Sequence, residues 1–378
     1  MPCIGRALCS LFMNPKYKKI YCCTPVAFHA NDGFWIRDTG LISNTLRGMG
    51  VESKCIMPLP YYDDDQKENL LRTEYKNIKS VKWWKSQGID ALVLYSWGAP
   101  RYTPIARAVK KAGIRLMIHL DMSANLHNWR NGTFLGLLKD LRINLMRRWH
   151  LGYADVISGS QELIEALSES VFYGTKIADK CTNFPTPIAS HFVVSTKPKS
   201  YKVTCVGRWS DAKEDQVKRP EFCIRTAQEL VKRDSDVIVE IYGRTGKTIE
   251  SIYETTDIGK ERIILKGFAN NKELPQIYQS SMVNYCPSFS EGTHIASAEA
   301  LCCGCSIVAP PRKQLRTLHW YASKNSGSIA TEDTPESMAQ ALVTELNEWN
   351  KGERSAKHIA DTWQSIFHID KVFNKIFE

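Results

Sequence analysis

Two glutamates, Glu291 and Glu299, stand eight positions apart in the run Pro287-Ser-Phe-Ser-Glu291-Gly-Thr-His-Ile-Ala-Ser-Ala-Glu299-Ala-Leu-Cys-Cys-Gly304. Spacing alone does not mark them, because Glu221/Glu229 and Glu345/Glu353 repeat it. Context does. Met282–Cys286 reads as an apolar strand, Ser290–Gly292 as a turn, and the following residues as a helix ended by Gly304. One carboxylate then lies at the loop and the other about two helical turns on, beside a helix N-terminus able to face an anion. His119 and Asp121 end the apolar run Ile114–Leu120 and would share one side of a strand that extended so far. Gly243-Arg-Thr-Gly-Lys-Thr248 follows a strand like a phosphate loop, but that motif needs glycine where Ile241 stands, so a strand-end turn is expected.

These residues hang on an alternating series of strands and helices. Lys19–Pro25, Val51–Met57, Asp90–Trp97, Ile114–Leu120 and Ala154–Gly159 read as strands separated by helical stretches. A Pro, Ser, Thr and Lys-rich stretch follows, at 183–187 and 195–200. Tyr201–Val206, Val237–Tyr242, Ile263–Lys266, Met282–Cys286 and Ser306–Ala309 then form a second series. The expected fold class is α/β, with two Rossmann-like domains facing each other across a cleft and ligands at strand C-terminal ends. Residues 1–195 form the first domain and 196–355 the second, and 356–378 is a terminal helix expected to pack back toward the first.

The composition, 43% hydrophobic and 24% charged over 378 residues, excludes disordered, collagen-like and coiled-coil classes. Twelve cysteines in so long a chain read as buried reduced thiols. The Cys302-Cys303-Gly304-Cys305 cluster lacks a second ligand pair, so no metal site is expected. No apolar run is long enough to span a membrane, and Ile4–Met13, interrupted by Arg6, makes a poor signal peptide. The expected location is cytoplasmic, with peripheral attachment to the inner membrane face as a candidate. Most of the net charge of +10 sits in the first half: residues 1–196 carry +9, and 101–150 alone hold ten basic and two acidic side chains. That half is expected to meet something anionic. Leu138, Leu141, Leu145 and Trp149 recur at helical spacing among Lys139, Arg142, Arg147 and Arg148. The pattern fits either a helix packed on the sheet or one lying on an anionic membrane.

The Glu291–Gly304 segment resembles the retaining glycosyltransferases of the GT-B fold, in particular glycosyltransferase family 4, whose carboxylate-x7-carboxylate motif Glu291 and Glu299 match. Val206-Gly207-Arg208-Trp209 and Lys218-Arg-Pro-Glu221 are similar to two further family segments. The resemblance implies that Arg208 and Lys218 hold the donor diphosphate, assisted by helix amides near Thr293, His294 and Ile295. Glu299 would accept ribose hydroxyls, and Glu291, beside Gly292, sugar hydroxyls. Gly243, Gly267 and Phe268 resemble strand ends lining the nucleotide base. His119 or Asp121 occupies the family's first-domain site position, and Gly33 matches its first loop, where Asn31-Asp32-Gly33 replaces a double glycine. His294 stands where many relatives carry glycine.

The implied activity is transfer of a sugar, with retention, from a nucleoside-diphosphate sugar, UDP-sugar favoured, to a glycan or lipid-linked acceptor in surface polysaccharide or glycolipid biosynthesis. No cofactor or metal is required, and no nucleic-acid partner is expected. An anionic membrane surface is a candidate partner. The alternatives are a nucleotide-sugar epimerase or hydrolase of the same fold, and a non-catalytic nucleotide-sugar or anionic-surface binding protein.

Overall fold

The computed structural model of the chain describes residues 17–126, 133–323 and 325–372. Ile4–Met13, Cys3 and Cys9 lie outside them. The chain forms two units, one running to Ala189 and including the residues from Ile369, the other comprising Ser190–His368.

Among the described residues, seven parallel strands make the sheet of the first unit: β1 (Ile20–Cys23), β2 (Cys55–Pro58), β3 (Leu70–Thr73), β4 (Ala91–Tyr95), β5 (Arg115–His119), β6 (Val156–Gly159) and β7 (Cys181–Asn183). Their spatial order is β3-β2-β1-β4-β5-β6-β7. The central strands β1 and β4 are buried at every position, as continuous apolar runs require when helices cover both faces. β3 and β7 are short edge strands with a weak apolar signature, and the sequence reading missed both.

The helix Phe134–Gly152 buries only Leu151 among its apolar residues. Its buried members are Asp140, Asn144, His150 and Leu151, and a polar network holds that face. Tyr173 Oη donates to Asn144 Oδ1 at 2.7 Å, Arg147 Nε donates to the Gly98 carbonyl at 3.2 Å, and His150 Nε2 lies 3.0 Å from Ser96 Oγ. Leu138, Leu141, Leu145 and Trp149, whose spacing fits packing on the sheet, are exposed instead, with Phe134 and Leu135 exposed beside them. Buried hydrogen-bonding side chains set the orientation of this helix.

The second unit has six parallel strands, β8 (Ser200–Val206), β9 (Ile238–Tyr242), β10 (Ile263–Gly267), β11 (Ser281–Tyr285), β12 (Ser306–Ala309) and β13 (Gly327–Ile329). They run in the order β10-β9-β8-β11-β12-β13, so the winding direction reverses between β8 and β11. Helices Pro220–Arg233 and Pro335–Asn350 contribute Phe222, Ile224, Leu230, Met338, Leu342 and Leu346 to the core over this sheet. The segment expected as one terminal helix is divided. Ala356–Phe367 packs in the second unit, its Trp363 4.8 Å from the Trp320 ring and donating to Ser326 Oγ at 2.7 Å. Ile369 instead donates its amide to the Ile188 carbonyl of the first unit. No described helix is long and apolar enough to cross a membrane.

Candidate active site

In a doubly wound sheet, ligands sit beyond the strand C-termini where the winding reverses. For the second unit that point lies between the ends of β8 and β11, at Gly207–Trp209 and Cys286–Glu291. The strand-end glycines adjoin one another there. Gly207 donates its amide to the Tyr242 carbonyl at 3.0 Å, and Gly243 donates to the Gly267 carbonyl at 2.7 Å. Gly243 has φ +131°, and a Cβ on it would stand 1.9 Å from the Gly207 oxygen. Only glycine fits. Trp209 is buried under this edge and donates Nε1 to the Tyr242 carbonyl at 2.8 Å.

Arg208 projects from the edge with 68% of its side chain exposed, and its Nε lies 3.1 Å from Asp215 Oδ1. Ser210 Oγ steadies that carboxylate at 2.6 Å. The partner is thus Asp215 and not Asp211, which is nearer in sequence. Asp211 accepts instead from the Thr248 amide at 3.3 Å, at the start of helix Lys247–Glu254. A carboxylate therefore occupies the helix end that would hold phosphate in a phosphate loop.

Lys218 closes a short turn, Gln216–Lys218, and the Phe289 amide donates to the Val217 carbonyl at 2.7 Å. This ties the lysine to the loop after β11, where Lys218 Nζ meets Glu291 Oε1 at 2.6 Å. Both side chains are largely buried, at 18% and 11% exposure. Burial opposes ionisation of Glu291, yet its carboxyl lies below the usual range, lowered by the charges of His294 and Lys218 and by the Lys218 hydrogen bond. Burial pushes His294 down to about 4, so at neutral pH Lys218 is the cation facing Glu291.

Helix Ile295–Cys302 follows with His294 as its N-cap, at φ +49°. Gly292 and Ile295 are half-buried, while Thr293 is buried and its carbonyl accepts from Tyr321 Oη at 2.5 Å. Glu299 is enclosed within the unit at 1% exposure. Phe268, just past Gly267, is 71% exposed with the Arg244 guanidinium 6.0 Å from its ring. Beside it opens a cavity of about 400 Å³, where Glu240 bridges Lys202 (2.8 Å) and Lys266 (3.1 Å). The structure thus brings Arg208, Lys218, Glu291–Ile295 and the three glycines to strand ends of one sheet. Sequence reasoning missed Asp215 and Ser210, which no local motif marks, and Cys286, taken only as a strand end.

In the first unit β5 ends at His119, and the next amide, of Leu120, still donates to the Ser158 carbonyl of β6 at 2.8 Å. His119 is fully buried, with Nδ1 2.9 Å from Ser158 Oγ and Nε2 3.1 Å from Thr186 Oγ1. Its ring leans on Tyr95 at 4.5 Å, and burial pushes it down to about 3, which keeps it neutral. As placed, both nitrogens face hydroxyls rather than an open edge, and Asp121 is the partly exposed member of the pair. Gly33 donates its amide to Asn31 Oδ1 at 3.1 Å in the short helix Asp32–Trp35.

Residues 200–348 match the family described as Glycosyl transferases group 1. The fold is shared with the apo form of the lipopolysaccharide outer core galactosyltransferase WaaB, at 15% identity over 95% of this chain and 99% of that one, TM-score 0.64. Anabaena HepE in complex with UDP matches at 15% identity over 95% and 98%, TM-score 0.64. Sucrose-phosphate synthase from Thermosynechococcus elongatus matches at 12% identity over 95% and 96%, TM-score 0.63. None of the curated proteins matches the chain in sequence. The fold is GT-B, with two Rossmann-like units. Together with the family match over the second sheet, it supports a glycosyltransferase enzyme.

Proposed function

We propose that the chain is a retaining glycosyltransferase of family 4, which moves a sugar from a nucleoside-diphosphate sugar, UDP-sugar favoured, to a glycan or lipid-linked acceptor bound by the first unit. The observation that supports it most is the enclosed Lys218–Glu291 pair at the winding reversal, with Arg208 on the adjoining strand end. In this reading the bond from the anomeric carbon to the diphosphate oxygen breaks as charge grows on the leaving group. Arg208 and Lys218 stabilise that charge, and the first-turn amides of helix Ile295–Cys302 add their dipole. Glu291 grips sugar hydroxyls, and the ribose contact expected of Glu299 requires its buried carboxylate to be uncovered when the donor binds. The acceptor oxygen attacks the same face and passes its proton to the departing phosphate, so the reaction as proposed uses no protein nucleophile and no metal. Donor turnover without an acceptor would instead indicate the epimerase or hydrolase alternative, and donor binding without consumption the non-catalytic one. Incubating the purified chain with UDP-sugars, with and without glycan and lipid-linked acceptors, separates these outcomes.

Helix Phe134–Gly152 supports an anionic membrane as the surface presenting the acceptor. Leu135 is 77% and Trp149 60% exposed, and a hollow of about 510 Å³ beside the helix is lined by Lys79, Arg101, Arg107 and Lys111. Exposed apolar side chains among cations are what an anionic bilayer recognises, each cation near the surface contributing about 1 kcal/mol.

A further inference from the structure

Three side chains of different donor chemistry converge at the end of β11: the Cys286 thiol, a Glu291 carboxylate oxygen and a His294 ring nitrogen, all within 4.8 Å of one another. Cys286 Sγ lies 3.3 Å from His294 Nε2. In tetrahedral zinc sites, bond lengths near 2.1–2.3 Å place neighbouring donor atoms about 3.5 Å apart.

A chain of hydrogen bonds fixes which face the histidine offers. Asn284 Nδ2 donates to the Thr204 carbonyl at 3.3 Å, which turns Asn284 Oδ1 toward Ser297. Ser297 Oγ donates to that oxygen at 3.3 Å, so it accepts from His294 Nδ1, 2.7 Å away. Nδ1 therefore carries the ring proton, and the bare Nε2 lone pair points at the Cys286 sulfur. Metal-ligating histidines are held in this way, the far N–H donating to a neighbouring acceptor. Ser288, 1% exposed, lies beside the Cys286 thiol and the Glu291 carboxylate, where its hydroxyl favours the ionised form of each.

We infer that Cys286, Glu291 and His294 form a site for a thiophilic divalent cation such as Zn²⁺, and that the cation and the nucleotide-sugar donor exclude one another. On binding, the metal–sulfur bond replaces the S–H bond and the thiol proton leaves to solvent, with no change of oxidation state. Thiolate and carboxylate together neutralise the dication. Sulfur, imidazole and carboxylate in one set suit Zn²⁺ and disfavour Mg²⁺ and Ca²⁺, which take oxygen donors. The exclusion rests on the donor reading proposed above, because the metal would take Glu291 away from Lys218; the metal site itself does not rest on it.

Co²⁺ titration of the metal-stripped full chain tests the site, since thiolate-to-cobalt absorption reports a sulfur ligand directly. One equivalent should produce the band, and Cys286→Ser and His294→Ala should each weaken Co²⁺ binding at least about tenfold. Melting curves establish that both variants are folded. A chain giving no thiolate band, or a band that survives in the folded Cys286→Ser variant, overturns the site. A thermal shift by UDP should disappear with one equivalent of Zn²⁺ in the wild type and persist in Cys286→Ser, and a shift that survives zinc in the wild type overturns the exclusion. Cobalt binding through Cys286 with no UDP shift under any condition upholds the metal site and overturns the donor reading.

Discussion

Glu291 and Lys218 lie seventy-three residues apart in sequence and 2.6 Å apart in space, so each side chain constrains the other. Removing Lys218 leaves a largely buried carboxylate uncompensated. Lys218→Ala should lower melting temperature as well as nucleotide affinity, whereas Arg208→Ala, at a mostly exposed side chain, should lower affinity with the fold intact; calorimetry and melting curves on the same samples separate the two effects. A tighter pair lies in the first unit. Asp65 and Arg72 have no exposed side-chain surface and are 2.7 Å apart, and Asp65 also accepts from the Ala30 and Tyr62 amides at 2.8 and 2.9 Å. Burial opposes its ionisation, but Arg72 and the amides hold it down to about 2, against an ordinary 3.8. Because the folded value is depressed, its stabilisation is present above pH 4 and is lost as pH falls toward 2. Asp65→Ala should cost about 3–5 kcal/mol at neutral pH, read from chemical denaturation. At this scale the sequence exposed residue types but not partners. Glu291 and Glu299 were legible as a pair, while Asp215, the partner of Arg208, was not, because an ion pair depends on the path of a turn rather than on spacing. His119 shows the same limit: its strand position was legible, but the hydroxyls of Ser158 and Thr186 that enclose it come from β6 and from beyond β7.

The strand ends and one helix carry the argument at the scale of elements. Gly243 and Gly267 both have positive φ, but a Cβ on Gly243 would collide with the Gly207 carbonyl while one on Gly267 would meet open space. Gly267→Ala should cost about 1–2 kcal/mol for backbone conformation alone, and Gly243→Ala distinctly more, since the neighbouring strand end must move; paired melting curves measure the difference. Helix Phe134–Gly152 was legible in its bounds and not in its orientation. Periodicity marks an apolar face but does not say which face the fold buries, and here Asn144, Arg147 and His150 form the inward hydrogen bonds. Leu135→Glu with Trp149→Glu should leave the melting temperature unchanged and abolish sedimentation with vesicles containing phosphatidylglycerol. Binding that persists in the double variant, or that is equal on neutral phosphatidylcholine vesicles, contradicts the membrane reading.

At the scale of the molecule, both sheets were legible because fully covered parallel strands leave continuous apolar runs, and their helices leave caps and stop signals. The three strands missed, β3, β7 and β13, all lie at sheet edges and are only four, three and three residues long, too short to leave a periodic signature. The reversal between β8 and β11 could not be read from the sequence as an order, yet it places the two segments carrying Arg208 and Glu291 side by side. The central claim is that this reversal holds a nucleoside diphosphate. Isothermal calorimetry of UDP with the wild type and with Arg208→Ala, backed by thermal shift, tests it most directly. The account predicts a single site, a stabilisation of about 2.7 kcal/mol at a hundred times the dissociation constant, and affinity reduced at least about tenfold in the variant. No heat or shift with UDP, GDP or ADP, or equal affinity in the folded variant, would contradict it.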